Sequence, residues 1–217
     1  MENNGGCRLP CWWGVTPGKT SWDSAEESLS SITTAIYESA GATPGTRYIE
    51  VFFPAPYPSD GGVRQVYRVR NDVVDQIEIL PKDFSKYSVP EGILNELGTP
   101  DMIFLGGTIE APRSFQLVLY YPSRGVFALY SNIVGPVQQQ DPIDVCFDES
   151  AMDYVDIYLW NPTDSFSETL DFIFSNYYRA FHEIELVTDM TKSELRDLFL
   201  SPNHNGCFQT ASSVWRQ

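Results

Sequence analysis

The 217-residue sequence is poor in positive charge and contains no long apolar run. It has 14 Lys and Arg residues against 29 Asp and Glu residues, so its formal net charge is −15 at pH 7. A surface of this sign repels phosphate groups, and we therefore predict that nucleic acids and anionic lipids are not ligands. A membrane-spanning helix needs about 18 or more apolar residues in succession, and none is predicted.

Catalytic chemistry has little support, because only two histidines are present, His182 and His204. The sequence has no GxSxG motif for a nucleophilic serine. A metal site that combines His182 with Glu183 and Glu185 is disfavoured, because these neighbouring positions do not share one helix face. We predict no catalytic residue, no metal ligand and no cofactor.

One stretch, WWGVTPGKTSW at residues 12–22, ends like a phosphate-binding loop. The pattern GxxxxGK[ST] places its glycines five positions apart, whereas Gly14 and Gly18 are four positions apart. Pro17 also removes a backbone N–H where such a loop needs donors. We interpret the stretch as a Pro-Gly turn that leads into a capped helix, and we predict no nucleotide binding.

Four cysteines are present, Cys7, Cys11, Cys146 and Cys207, and they allow three pairings that the sequence does not distinguish. A bridge from Cys7 or Cys11 to Cys207 would fasten the two ends of the chain together. A zinc site of four thiolates usually uses two close pairs, and only Cys7 and Cys11 are close. We expect disulfides, and hence an oxidising compartment. The polar leader MENNGG suggests a mature chain from which a signal peptide has been removed.

The first half of the chain predicts a helix followed by antiparallel strands. Apolar spacings of three and four predict a helix over 21–40, with Thr20 as its N-cap. Strands are predicted at 46–54, 61–71 and 73–80. Asn71-Asp72 separates the last two strands as a tight hairpin turn.

The second half repeats this order and then becomes helical. A short helix is predicted within 88–101, with Pro90 in its first turn and Gly98 as its C-cap. Strands follow at 102–107, 114–122, 125–132, 143–148 and 154–162. Capping-box patterns that begin at Ser165 and Thr191 predict two C-terminal helices.

These patterns predict an α+β fold of helix-plus-antiparallel-sheet units in two tandem copies, with the C-terminal helices packed on a sheet. The expected segments are a leader with a Cys/Trp anchor (1–15), a first unit (16–86), a second unit (87–160) and a helical cover (161–217). We expect all four to form one compact body.

Two tryptophans are candidates for an aromatic binding surface, Trp13 and Trp160. Trp12 and Trp13 are adjacent, so in an extended segment their side chains would point in opposite directions. At least one of these two is then expected to be buried. Aromatic side chains also fill cores, which is the simpler interpretation of most of them.

The two ends of the chain resemble a known group of proteins. CRLPCWWGVTPGKTSWDSAEESL and NGCFQTASSVW are similar to the first and last blocks of uncharacterised bacterial extracytoplasmic proteins, which are often predicted lipoproteins. The resemblance implies secretion and a lipid anchor upstream, and it implies no activity. VTPGKTSWDSAEESL and VPEGILNELGTPD also resemble the opening helix and turn of β-lactamase-inhibitor-like and SmpA/OmlA-like modules. That second similarity concerns the fold alone.

We therefore expect a non-enzymatic binding or structural module that is secreted or lipid-anchored at the bacterial cell surface. Its expected partner is a protein or a glycan, and neither a nucleic acid nor a nucleotide. The alternative is a hydrolase that acts on carbohydrate through paired acidic residues. A concave pocket with two carboxylates of perturbed pKa would favour the enzyme, and an exposed aromatic patch would favour the binding module.

Overall fold

A computed structural model of the chain describes residues 4–54, 63–80, 87, 89–107, 114–133, 142–147, 152–163, 181–201 and 206–215. The helices within these ranges are α1 (Trp22–Ser30), α2 (Pro90–Leu97), α3 (Ile184–Val187) and α4 (Lys192–Leu200). The strands are β1 (Ala35–Ala40), β2 (Thr46–Phe53), β3 (Val63–Arg70), β4 (Val73–Ile79), β5 (Met102–Gly107), β6 (Ser114–Tyr121), β7 (Val126–Ile133), β8 (Ile143–Cys146), β9 (Met152–Trp160), β10 (His182–Glu183) and β11 (Cys207–Thr210).

Nine of these strands form one antiparallel sheet in the order β1-β2-β3-β4-β9-β7-β6-β5-β10, and β8 pairs with β11 in a second sheet. The fold is α+β with the sheet as its dominant part, which confirms the predicted class. The chain divides into two compact units. The first consists of Met1–Lys86, Pro122–Val126 and Asp156–Asp164, and the second of Tyr87–Tyr121, Phe127–Val155 and Ser165–Gln217.

The first helix is half as long as the sequence pattern predicted. α1 begins after Ser21, whose hydroxyl accepts a hydrogen bond from the backbone N–H of Ser24, and it ends at Ser30. The expected helix over 21–40 is therefore wrong in its second half, where β1 pairs with β2. Residues 32–36 include four β-branched side chains, which favour a strand once a partner strand is available. Thr20 is not the N-cap, and its hydroxyl accepts instead from the backbone N–H of Thr16 at 2.9 Å.

The hairpin of β3 and β4 forms as predicted. Its turn residues Asn71 and Asp72 both have positive φ, 50° and 62°, as a type I′ turn requires. Tyr67 of β3 is fully buried, and its ring lies 5.8 Å from that of Trp22 on α1. α1 therefore covers one face of this part of the sheet, and burial of each such side chain stabilises the fold by about 1.5–3 kcal/mol.

Backbone hydrogen bonds join β4 to the segment that resembled a phosphate-binding loop. The N–H of Gly18 donates to the carbonyl of Val74 at 2.7 Å, and the N–H of Val74 donates to that of Thr20 at 3.0 Å. Gly18 has a φ of 76°, and a Cβ at this position would lie 2.6 Å from the Cβ of Asn161. Lys19 is exposed. These contacts support the interpretation as a turn.

In the second unit, α2 begins with Pro90 and ends at Gly98, where φ is 79°, and strands β5 to β7 follow, all close to their predicted positions. The predicted capping box of α4 is present, with Thr191 and Glu194 bonded to each other's backbone N–H groups. Residues 164–180, which carry most of the other predicted C-terminal helix, lie outside the described residues.

Each disulfide joins two cysteines of the same unit. Cys7 bonds to Cys11, and Cys146 bonds to Cys207, its direct partner in the pairing of β8 with β11. The expected disulfides are therefore confirmed. Neither bond connects the N-terminal pair to Cys207, because that residue is already paired across the two-stranded sheet.

Candidate binding surface

The first unit exposes one face of its sheet at β1 and β2. On β2, the buried residues Ile49, Val51 and Phe53 alternate with Tyr48, Glu50 and Phe52, so these two sets point to opposite faces. The buried set faces the core. We call the other side the open face, and it is defined by Glu50 and the residues that share its side of the sheet.

A row of five side chains crosses the open face in register: Tyr37, Glu50, Val66, Glu78 and Tyr158, one from each of β1, β2, β3, β4 and β9. Adjacent strands lie about 4.8 Å apart, so the row is about 19 Å long. Exposure falls along it, from 63% at Tyr37 to 8% at Tyr158. The end of the row at β1 is therefore the part that is open to a ligand.

Three aromatic side chains cluster at this open end: Tyr37, Tyr48 and Phe52, which we call the tyrosine patch. The ring of Tyr37 meets that of Phe52 edge-on at 5.7 Å. Phe52 and Tyr48 stand opposite the small residues Ala35 and Ser39 of β1. Tyr37, Tyr48 at 40% and Leu186 at 76% are the exposed large hydrophobic residues of the described part of the chain.

A bidentate ion pair lies next to the tyrosine patch. The guanidinium of Arg64 donates from Nε and Nη2 to the two carboxylate oxygens of Glu50, each at 3.0 Å. This hydrogen bonding lowers the pKa of Glu50 and keeps it ionised. Both side chains are about two-fifths exposed, so the pair adds little stability. Its effect is to hold both charges in one orientation beside the rings.

The edge of the sheet at β1 carries excess negative charge. Arg47 of β2 lies 3.4 Å from Glu38 of β1 and 2.8 Å from Asp72, so two carboxylates share one guanidinium. The side chain of Glu38 is 50% exposed and that of Asp72 is 84% exposed. One negative charge at this edge is therefore left without a compensating cation within this group.

Two partly buried carboxyl groups lie at the covered end of the row. The hydroxyl of Tyr158 donates to Glu78 at 3.4 Å, and burial raises the pKa of Glu78 above its ordinary value. Burial also raises the pKa of Asp156 to about 7, and the nearby charge of Glu78 adds to this effect. The Oδ1 atom of Asp156 is buried and has no hydrogen-bond partner among the described residues. Asp156 therefore gains and loses its proton near neutral pH.

A separate cavity of about 350 Å³ lies in the second unit. It is lined by Pro142, residues 186–189 and residues 209–211, and Leu186 stands exposed at it. Asp189 is its only lining carboxylate among these residues. The described lining therefore holds no pair of carboxylates such as the hydrolase hypothesis requires.

The two tryptophans selected from the sequence do not form the exposed aromatic surface. Trp160 is 3% exposed and belongs to the core. Trp13 is half-buried, with its ring 6.4 Å from that of Phe53. The exposed rings are tyrosines of β1 and β2. Tyr37 was missed because it lay within the stretch predicted to be helical.

No family model, curated protein or solved structure matches this chain. Within the described ranges, no cluster of three or more His, Cys, Asp and Glu side chains is arranged to hold a metal ion. None of the helices described above is long and apolar enough to cross a membrane.

Proposed function

We propose that the protein is a non-enzymatic extracytoplasmic binding module that engages a protein or glycan at the bacterial cell surface through the tyrosine patch. The exposure of Tyr37 and Tyr48 on one sheet face is the observation that carries this proposal. Tyrosine offers a rigid apolar surface with a polar tip, and it is enriched in interfaces for this reason. A partner that covers the tyrosine patch would remove both rings from water.

The surroundings of the patch support binding because they restrict its movement before a ligand arrives. Phe52 contacts the Tyr37 ring, and the Glu50–Arg64 pair is bidentate. Side chains that are already ordered lose less conformational entropy on association. The ion pair also presents donors and acceptors beside the rings, which suits either a peptide or a sugar.

The compartment and the internal repeat are parts of the same proposal. Two disulfides fit an oxidising, extracytoplasmic environment. The resemblance of the terminal blocks suggests a lipid anchor upstream. In each unit a helix precedes antiparallel strands, α1 before β1–β4 and α2 before β5–β7, and this order supports two tandem copies. The contact of α3 with β5 supports C-terminal helices packed on a sheet.

The test is the binding of labelled protein to isolated bacterial envelopes. We expect the double variant Tyr37→Ala/Tyr48→Ala to bind at least about tenfold more weakly, because loss of two interface aromatics typically costs more than about 1.4 kcal/mol. Leu186→Ala is the matched control, since it removes an exposed apolar side chain outside the patch. Envelopes treated with protease or with periodate distinguish a protein from a glycan ligand. Equal binding by all three proteins would contradict the proposal.

A second candidate, a carbohydrate hydrolase, is favoured by one observation, the raised pKa values of Glu78 and Asp156. Both values shift in the same direction, whereas an acid and base pair needs one protonated and one ionised group. The hypothesis is therefore the weaker one. It predicts that the protein releases reducing sugar from envelope glycans and that Asp156→Asn abolishes this release.

A further inference from the structure

We propose that β1 accepts an extended, basic segment of a partner protein as an added antiparallel strand. The inference rests on the proposed function and specifies its partner. β1 is the terminal strand of the nine-stranded sheet, and it pairs with β2 over six consecutive positions without a register shift. A six-residue edge strand leaves about three N–H and three C=O groups that point away from its partner.

Proteins usually protect such edges with charged side chains, above all lysine, or with proline, a bulge or a very short strand. β1 has the sequence AIYESA, in which the single negative charge of Glu38 is the only such feature, and a basic partner strand would tolerate it. Its last four residues are exposed. At the opposite end of the strand order, β10 has only two residues. The terminal strand β10 is therefore very short, whereas the terminal strand β1 is long enough to pair with a further strand.

The side chains of β1 define what the incoming strand must carry. Residues directly opposite each other in an antiparallel pair have Cβ atoms about 5 Å apart, so one incoming side chain would lie beside Tyr37 and its neighbours beside Ile36 and Glu38. Glu38 shares Arg47 with Asp72, which leaves one negative charge at the edge. A lysine or arginine opposite Glu38 would neutralise this charge. An aromatic or aliphatic residue would suit Tyr37.

Charge complementarity also selects between the alternative occupants. A second copy of the chain would bring another net charge of −15 to the edge. A glycan would contact the rings but could not pair with a row of backbone groups at the strand repeat of about 3.3 Å. A basic polypeptide satisfies both the backbone and the charge.

The test uses three synthetic peptides: acetyl-KTKYKTK-amide, the proline analogue acetyl-KPKYKPK-amide and the acidic analogue acetyl-ETEYETE-amide. The measurement is amide hydrogen exchange of residues 35–40 in the whole protein. At about 90% occupancy, exchange of the newly bonded amides slows by about tenfold. We expect this protection from the first peptide alone, because the proline analogue keeps the charge but cannot form the ladder.

A charge-reversal pair tests the side-chain contact. Glu38→Lys should reverse the preference, so that the acidic peptide protects β1 and the basic one does not. Glu185→Lys is the matched control, because it makes the same change in net charge at an exposed residue of α3. It should leave the preference for the basic peptide unchanged.

Three results would overturn the inference. The first is equal protection by the threonine and proline peptides, which would indicate unspecific charge attraction. The second is no protection of β1 by any peptide. The third is protection without peptide that rises with protein concentration together with a dimer in sedimentation, because a second copy would then occupy the edge. If envelopes bind through the tyrosines, periodate abolishes binding and β1 exchange is unchanged, the proposed function stands with a glycan ligand and this inference fails.

Discussion

Ionisation of Asp156 should destabilise the fold, and Asp156→Asn should remove this effect. The pKa of this carboxyl group rises from an ordinary 3.8 to about 7 in the folded protein, chiefly through burial. The folded state therefore holds the proton more tightly than the unfolded state between these two pH values. The stability that the protonated Asp156 contributes to the fold is fully present below pH 3.8, and this contribution is lost as the pH rises through about 7.

The size of the effect follows from the shift. Each pKa unit corresponds to about 1.4 kcal/mol, so a shift of about three units costs roughly 4 kcal/mol once the pH exceeds 7. Asparagine has nearly the same shape and no charge. We expect the variant to gain stability over the natural chain by about 1.4 kcal/mol per pH unit from pH 4, with a plateau above pH 7.

Urea unfolding at a series of pH values from 4.5 to about 8.5 measures this difference, and the other titrating groups cancel between the two proteins. Glu78→Gln supplies a second comparison. The charge of Glu78 contributes to the raised pKa of Asp156, so Glu78→Gln should lower that pKa. The pH range over which ionisation of Asp156 destabilises the fold should then be narrower. A difference between the natural chain and Asp156→Asn that does not change with pH would refute the argument.

Two further predictions concern stability. Replacement of Cys146 and Cys207 by serine should lower the free energy of unfolding by about 4 kcal/mol, since their disulfide closes a loop of 61 residues. Loss of the Cys7–Cys11 disulfide, which closes a loop of 4 residues, should cost only about 2 kcal/mol. Calorimetry measures both losses of stability, and equal losses would contradict the prediction. Trp22→Ala should cost about 3–5 kcal/mol because its ring is buried against the sheet, whereas Lys19→Ala should change neither stability nor envelope binding. A large loss of envelope binding by Lys19→Ala would reopen the interpretation as a ligand-binding loop.

Local patterns predicted the elements whose cause is local. The hairpin at Asn71-Asp72 follows from two residues that tolerate positive φ, and α2 follows from Pro90 and Gly98. The capping box at Thr191 needs only residues three positions apart. β1 was missed because its apolar residues also fit a helical spacing. Its conformation depends on pairing with β2, which local propensity does not reveal.

The candidate site depended still more on distant parts of the chain. Tyr37, Glu50, Val66, Glu78 and Tyr158 are spread over more than a hundred residues, and only the register of five strands places them in one row. The same register buries Trp160, which the sequence alone had made a candidate for the surface. No spacing in the sequence predicts such a row.

The sequence by itself determined the α+β class, most of the strands, the turn at Gly18-Lys19-Thr20 and the presence of disulfides, because composition, alternation and turn chemistry act over a few residues. Only the tertiary structure decided which cysteines pair, where α1 ends, which aromatic rings stay exposed and which carboxyl groups lose water. Those properties arise when strands distant in the chain pair and exclude solvent, and their free energy belongs to the contacts between segments.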